Sequence, residues 1–342
     1  ETSSASTYRL SAMAVDLVPE PHAADAMLEE EVLACAFESW FQLFKDLTFK
    51  SEIIRLPEDF VRYLMADGIH MPSKGAKDDA ASDGSWGSGG ESDEDPDAVF
   101  HFPDLEEDVR SAIQRLNGKV LPKLNWSAPK DAQWIHGSLK CTSPTDVFTL
   151  LKASDFISHD LCNAFDHCNC SRKRPDVFNL VLRRWHSLHE SSEFRVFVRD
   201  GQLIGISQRQ TSGFFEHLLQ EEEQEAIRGA ISNFFEEKVR GCFPLSRFAM
   251  DVYVDIPPRR RVWLVDFSPW GASTAPCLFE WSELATLAPG TLLRIVRDQM
   301  ECHGKLENFH QIPLELAELN SQEGLNELLE KAERVLSQKE QS

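Results

Sequence analysis

The chain has 342 residues, 42% hydrophobic and 27% charged, enough for one large domain or two lobes around a sizeable core. Its formal net charge of −21 repels nucleic acid and anionic membranes, so no direct nucleic-acid partner and no membrane partner is expected. No apolar run reaches the roughly 18 residues of a membrane span, and the stretch through Ala14 lacks a basic-then-apolar signal pattern, so a cytoplasmic protein is expected.

Residues 1–26 carry no periodic pattern and are expected to form a flexible N-terminus. Residues 27–75 are expected to be a helical segment. Val32, Cys35, Ala36, Phe41 and Phe44 recur at helical spacing and predict one amphipathic helix over Met27 to Lys45. Residues 76–98 differ in kind, with eight acidic residues against one lysine between Lys77 and Asp97, the composition of a disordered acidic loop.

A first lobe is expected over residues 99–190. It opens with a helix over Leu105 to Leu116 ending at Gly118, then a short strand from Lys119 to Leu124 and a turn at Asn125 to Pro129. Leu139 to Cys141 predicts another short strand. A helix over Asp146 to Ser154 follows, capped by Ser143 or Thr145. Cys162, His167, Cys168 and Cys170 fall in a polar, loop-like stretch and lack the paired spacing of structural zinc sites, so free thiols are expected. Phe178 to Trp185 is rich in strand formers.

A second lobe is expected over residues 191–285. Glu193–Asp200 and Gln202–Arg209 flank Asp200-Gly201, a strong hairpin signal. Phe214 to Val239 is the longest helical pattern, with Ile227, Ile231, Phe234 and Phe235 on one stripe. Residues 286–342 are expected to form a C-terminal crossing segment and helix. They comprise an irregular apolar run over Leu292 to Met300, a crossing stretch at Phe309 to Leu316 and a charged amphipathic helix at Gln322 to Lys339. Hairpins mixed with helices, without regular βαβ units, predict an α+β fold.

The most informative local feature is the second hairpin. Phe248–Asp255 and Val262–Phe267 alternate like strands about Pro257, Pro258 and three arginines. A turn centred between Pro258 and Arg259 sets Asp251 opposite Asp266 and Val252 opposite Val265. Two carboxylates about 5 Å apart at an effective dielectric near 20 repel by about 3 kcal/mol. Something positive must therefore lie between or beside them. Ser268 returns an oxygen to the same strand face, and two carboxylates with a hydroxyl are hard ligands of the kind that hold Mg²⁺. The plainer alternative leaves one aspartate solvated at a strand end and pairs the other with a nearby arginine. Lys123, Lys140 and Arg195 lie on strands otherwise rich in apolar residues, so each must snorkel to solvent or meet an anion. Together with the carboxylates they suit a triphosphate and Mg²⁺. Neither a P-loop nor a Gly-x-Gly-x-x-Gly fingerprint is present, so any phosphate site must be built from strand side chains.

Several phrases fall in one order: Leu121-Pro-Lys-Leu-Asn-Trp-Ser-Ala-Pro129, Ser138-Leu-Lys-Cys141, Leu180-Val-Leu-Arg-Arg-Trp185, Glu193-Phe-Arg-Val-Phe-Val198, Leu203-Ile-Gly-Ile-Ser-Gln-Arg209 and Val262-Trp-Leu-Val-Asp-Phe-Ser-Pro-Trp270. In these the chain resembles the cell division cycle protein 123 family over roughly residues 28–315. The resemblance implies an ATP-grasp architecture in which two lobes sandwich ATP and Mg²⁺. It implies an assembly chaperone that binds the gamma subunit of eukaryotic translation initiation factor 2 and promotes assembly of the heterotrimer, a monomer on its own and with no catalytic residue. Carried over by position, Lys123, Lys140 and Arg195 would meet phosphates, and Leu182 with Arg183 would line the adenine pocket. Asp251, Asp266 and Ser268 would hold Mg²⁺ beside the ATP. The family commonly has Asn where this chain has Ser268, which leaves open whether the hydroxyl ligates directly. An ATP-dependent ligase or kinase acting on a protein, and a protein of this fold that binds no nucleotide, are the alternatives.

Overall fold

The computed structural model describes residues 27–66 and 101–303. The acidic stretch at 76–98, the crossing segment at Phe309 to Leu316 and the helix at Gln322 to Lys339 lie outside the described residues. Among the described residues, no helix is long and apolar enough to cross a membrane.

The N-terminal helical pattern splits into α1 (Glu29–Ala34) and α2 (Phe37–Phe44) rather than forming one helix. Ala36 takes an extended conformation, and the Phe37 N–H leaves the helical ladder to donate to the Asn125 carbonyl at 2.8 Å. A strand the sequence reading missed, β1 (Ser51–Arg55), follows, then α3 (Glu58–Met65).

Helix α4 (Pro103–Arg115) starts on a proline suited to a first turn and ends where Asn117 and Gly118 adopt positive φ. Strand β2 (Val120–Lys123) comes next. The expected strand over Leu139 to Cys141 shrinks to one reciprocal bridge, Cys141 with Val120. Ser143 and Asp146 form a capping box at the start of α5 (Pro144–Lys152), as the spacing predicts. The stretch beyond it, expected to be loop, begins as helix α6 (Asp155–Asn163). Ser154, just before α6, caps it by accepting the Ile157 N–H, and Asp131 accepts the Asp155 N–H at 2.6 Å. Strand β3 (Asn179–Arg184) runs between β1 and β2, antiparallel to both.

Alternation along β3 sets the organisation. Leu180 and Leu182 enter a core with α3, α4 and α5 residues, whereas Val181 packs toward a second, larger core. That core is shared with a five-stranded sheet in the order β7-β6-β4-β5-β8. Its strands are β4 (Glu193–Arg199), β5 (Gln202–Gln208), β6 (Phe248–Val254), β7 (Val262–Pro269) and the short β8 (Leu293–Arg294), which lies parallel to β5. Asp200 and Gly201 both take positive φ at the β4–β5 turn. Gly205 sits where any Cβ would meet the Phe279 ring at 2.9 Å.

Helix α7 (Glu221–Phe234) begins seven residues later than its apolar pattern suggests, because Glu216–Leu219 form a separate 3₁₀ turn. It closes through a wider π turn over Phe235–Val239. Ile227, Ile231, Phe234 and Phe235 pack on the sheet with Phe37, Trp40 and Phe44 of α2. The opposite face of the same sheet carries a small cluster of Phe197, Ile204, Ala249 and Phe279, and beside it the charged residues of the cavity. Two short helices, α8 (Trp281–Leu284) and α9 (Gln299–His303), complete the described chain. The fold is α+β, with two sheets that are antiparallel except where β8 joins β5.

Candidate functional site

Strict alternation along β7 would turn Asp266 inward. Val262 and Leu264 face the large core, so Asp266, two residues on, would follow them. The register prevents this. Asp251 pairs with Asp266 as the sequence predicts, but Val252 pairs with Leu264 and not with Val265. Val265 is the extra residue of a bulge, and every residue after it changes face. Phe267 then enters the core, stacked on Phe243 at 3.9 Å, and Asp266 and Ser268 turn to the same side as Asp251. The opposed carboxylates exist because of this one inserted residue.

They border a cavity of about 310 Å³ between the two sheets, open to solvent and of a size that suits a small-molecule ligand. The five-stranded sheet contributes Glu193, Arg195, Asp251, Asp266 and Ser268, with Arg209 just past the end of β5, and the three-stranded sheet contributes Leu121, Lys123, Arg183 and Arg184. Lys130 enters from the loop after β2, and Phe49, Trp185 and His186 line the remaining wall.

Neither carboxylate is bare. Arg195, opposite Asp251 on β4, donates through Nε at 2.7 Å and Nη2 at 2.8 Å to the two Asp251 oxygens. Arg209 adds a contact at 3.3 Å. Burial pushes the Asp251 carboxyl up, but the charges of Arg195 and Arg209 outweigh it and hold the group well below the ordinary carboxylate range. Arg195 answers in kind: burial alone would lower it, and Asp251 keeps it firmly protonated. Asp266 is met from the other sheet, by Lys123, whose side chain is only 2% exposed. The pairing of Asp251 with a nearby arginine follows the plainer alternative, but Asp266 meets Lys123 instead of resting in solvent, and both aspartates face the cavity.

Arg183 makes a second tie across the sheets. It donates to the Val265 carbonyl at 2.8 Å and to the Thr48 hydroxyl at 3.0 Å, and Thr48 in turn donates to the Leu264 carbonyl at 2.7 Å. The bulge carbonyl thus finds its donor on the opposite lobe. Phe37 lies beneath both bridging cations, 5.2 Å from Lys123 Nζ and 5.4 Å from the Arg183 guanidinium. Burial lowers Arg183 from its ordinary value, and the carboxylates of Asp266 and Glu193 oppose that.

The loop bearing Lys130 is held by the buried Asp160. One oxygen accepts the Trp126 and Ser127 N–H groups at 3.3 and 2.8 Å, and the other accepts the Ser127 hydroxyl at 2.7 Å. Asn125 ties the same loop to α2 and β3. Its amide donates to Glu38 at 2.7 Å, and its oxygen accepts the Asn179 N–H at 2.9 Å. The Leu-Asn-Trp-Ser phrase is thus a brace that sets Lys123 and Lys130 on either side of it.

Of the predicted site residues, the structure gathers Lys123, Arg183, Arg195, Asp251, Asp266 and Ser268 around one cavity. It does not bring Lys140 there: that side chain is exposed beside the Cys141 bridge. Leu182 points away into the core of the smaller lobe. Sequence reasoning missed four charged members, Lys130, Arg184, Glu193 and Arg209. Arg209 holds Lys130 below its ordinary ammonium value, and burial adds to this although the side chain stays open to solvent. Burial raises the Glu193 carboxyl, with Lys130 opposing. Face parity gave the available signal, since Glu193 shares the Arg195 face of β4 and pairs with Tyr253, two residues beyond Asp251.

Among the described residues, no group of three or more His, Cys, Asp or Glu side chains converges on a point. Two carboxylates and the Ser268 hydroxyl offer an incomplete oxygen set of the kind Mg²⁺ accepts when a ligand's phosphates and water supply the rest. Lys123, Lys130, Arg195 and Arg209 around the same space suit those phosphates. The donor chemistry fits both groups. Cys162 and Cys170 are exposed and Cys168 half-buried, all free thiols; burial pushes the Cys168 thiol up to about 11.

A family model described as D123 matches residues 40–320. A Xenopus tropicalis protein named translation initiation factor eIF2 assembly protein is 39% identical over 269 residues, covering 75% of this chain and 79% of its own. A Phaeosphaeria nodorum protein named cell division cycle protein 123 is 41% identical over 256 residues, covering 71% and 66%. The solved structure of Cdc123 from Schizosaccharomyces pombe superposes with a TM-score of 0.65 at 35% identity, covering 78% of this chain and 98% of that one.

Proposed function

We propose that this chain, which belongs to the D123 family, is an assembly factor for translation initiation factor eIF2 that binds ATP and Mg²⁺ between its lobes. The observation that carries the nucleotide reading is the Asp251–Asp266 pair, turned by a bulge into a cavity ringed with cations. Asp251, Asp266 and Ser268 would hold the metal. Lys123, Arg195, Lys130 and Arg209 would balance phosphate charge, and Phe49, Trp185 and His186 would border the base. When bound, the metal would supply positive charge between the aspartates and the phosphates. The cavity joins sheets from two lobes, so a ligand seated there would set their relative position and with it any surface that spans them. The eIF2 gamma subunit is the proposed partner, with α2 contributing to its contact and the cytoplasm as the setting. The chain acts as a monomer until it meets that subunit.

Calorimetric titration of the whole chain with ATP, with and without Mg²⁺, tests the site, and Asp266→Asn should weaken MgATP binding at least about 10-fold. Equal affinity in the variant and the parent would remove the metal assignment. Co-precipitation with isolated eIF2 gamma subunit tests the partner, and stoichiometric capture without sustained ADP release is expected. Steady turnover with a modified product would favour a ligase or kinase instead.

A further inference from the structure

Each oxygen of the two aspartates already accepts an N–H. Asp251 Oδ1 is taken by Arg195 Nε, and Oδ2 by Arg195 Nη2 and Arg209 Nε. Asp266 Oδ2 is taken by Lys123, and Oδ1 by the Phe267 N–H at 3.2 Å. Protein cations hold three of the four oxygens, so a divalent cation that binds both carboxylates must compete with those cations, against their repulsion, and displace what it outcompetes. The displaced groups have little access to water, because Lys123 is 2% and Arg195 5% exposed. They would also remain among Lys130, Arg183 and Arg209 with less anionic charge to face. An unpaired buried charge is among the costliest states a protein can adopt. Phosphates entering alone find Lys123, Arg195 and Arg209 already engaged by Asp251 and Asp266, and must draw them away while these carboxylates and Glu193 remain close by. Each ligand supplies the charge that the other displaces.

We infer that the resting site is locked by its own ion pairs, so that metal and nucleotide bind with strong positive coupling, Lys123 and Arg195 exchanging carboxylate for phosphate as the metal takes the carboxylates. The inference rests on the nucleotide reading and adds an order to it: neither half of MgATP opens the site by itself. Lys123 is the principal lock, since among the described residues it is the one side-chain donor to Asp266 and it comes from the other lobe. Arg209 is a lesser one, an outer donor on Asp251 with 29% of its side chain exposed.

Paramagnetic titration of the whole chain with Mn²⁺, alone and with a saturating non-hydrolysable ATP analogue, reads the lock directly. Mn²⁺ alone should bind the parent about 100-fold more weakly than Mn²⁺ with the analogue, near the upper end of ordinary coupling. Solution complexation of Mn²⁺ by the analogue cannot mimic the next result: Lys123→Met should bind Mn²⁺ alone about 10-fold more tightly than the parent. Lys123→Met with Asp266→Asn should lose that gain. Should Lys123→Met fail to fold, Arg209→Gln leaves the buried pairs intact and should tighten Mn²⁺ alone about 3-fold. A parent that binds Mn²⁺ alone as tightly as these variants do, or as tightly as with the analogue, overturns the lock while leaving the nucleotide site in place. A parent that binds neither Mn²⁺ nor analogue in any combination overturns the nucleotide reading itself, and the lock with it.

Discussion

The two aspartates at the cavity are neutralised in different ways. Asp251 is met inside its own sheet: Arg195 is its directly paired neighbour on β4, and the bidentate contact needs only the β4–β6 pairing. Asp266 is met by Lys123 from the three-stranded sheet, and Arg183 reaches the adjacent bulge from the same side. The first arrangement belongs to one lobe and is preorganised. The second exists only while the lobes are together. One half of the site is therefore a fixture of the fold, and the other half reports on the joint.

The sharpest way to break that contrast is Arg195→Met. Removing one partner of this buried pair leaves Asp251 only the longer contact from Arg209, and stability in urea should fall by about 3 kcal/mol, the lower end for a broken buried pair. The effect should depend on pH in a set direction. Asp251 is held below its ordinary value, so the pair's contribution is complete above the unfolded-chain value near 4 and fades as pH falls below it. The gap between parent and Arg195→Met, followed by urea unfolding from pH 7 down to pH 3, should narrow below about pH 4. A gap that stayed constant would mean the arginine acts through packing and not through charge.

Arg183→Met probes the joint. It strips the donor from the Val265 carbonyl and one from Thr48, and should cost about 2 kcal/mol, within the range for leaving buried acceptors unpaired. Its distinguishing mark is location. Hydrogen exchange should quicken in β3 and β7, where the strut lands, and not in the β4–β6 ladder. Thr48→Val removes only the outer part of the same tie and should cost about 1 kcal/mol. A loss spread evenly over both sheets would contradict the division between fixture and joint.

The fixture was also the legible half. Glu193 to Arg209 carries a strong turn signal and clean alternation, so the β4–β5 hairpin and the face shared by Glu193 and Arg195 follow from local rules. The Asp251–Asp266 pairing was legible from the spacing about the turn. The bulge was not, because an extra residue leaves no mark in a pattern as short as Val262 to Phe267, and Val252 was given the wrong partner. The joint was less legible still. Lys123 and Arg183 stand out as charges on apolar strands, but their partners lie 143 and 82 positions away, beyond any periodicity. Lys140 has the same local signature as Lys123 and yet ends exposed. Its segment makes a single bridge and not a strand, so nothing carries its side chain to the cavity. Strand β1 was lost for a related reason, being five half-buried or exposed residues with no alternation to betray them.

Ser268 offers the finest test, because it shares the cavity face with Asp266 but, among the described residues, makes no tie across the joint. It stands two residues beyond Asp266 on the cavity face, half-buried, where its hydroxyl is the shortest oxygen-bearing side chain available. Ser268→Asn extends that oxygen toward the aspartates. Stability should stay within about 0.5 kcal/mol of the parent, since no core contact is touched. Affinity for MgATP should rise by about 3-fold if the hydroxyl falls short of direct ligation, because an amide carbonyl replaces a bridging water. Ser268→Ala should then differ little from the parent. If instead Ser268→Ala loses about 10-fold while Ser268→Asn is neutral, the hydroxyl already ligates, and the bulge has set three oxygens rather than two around one point.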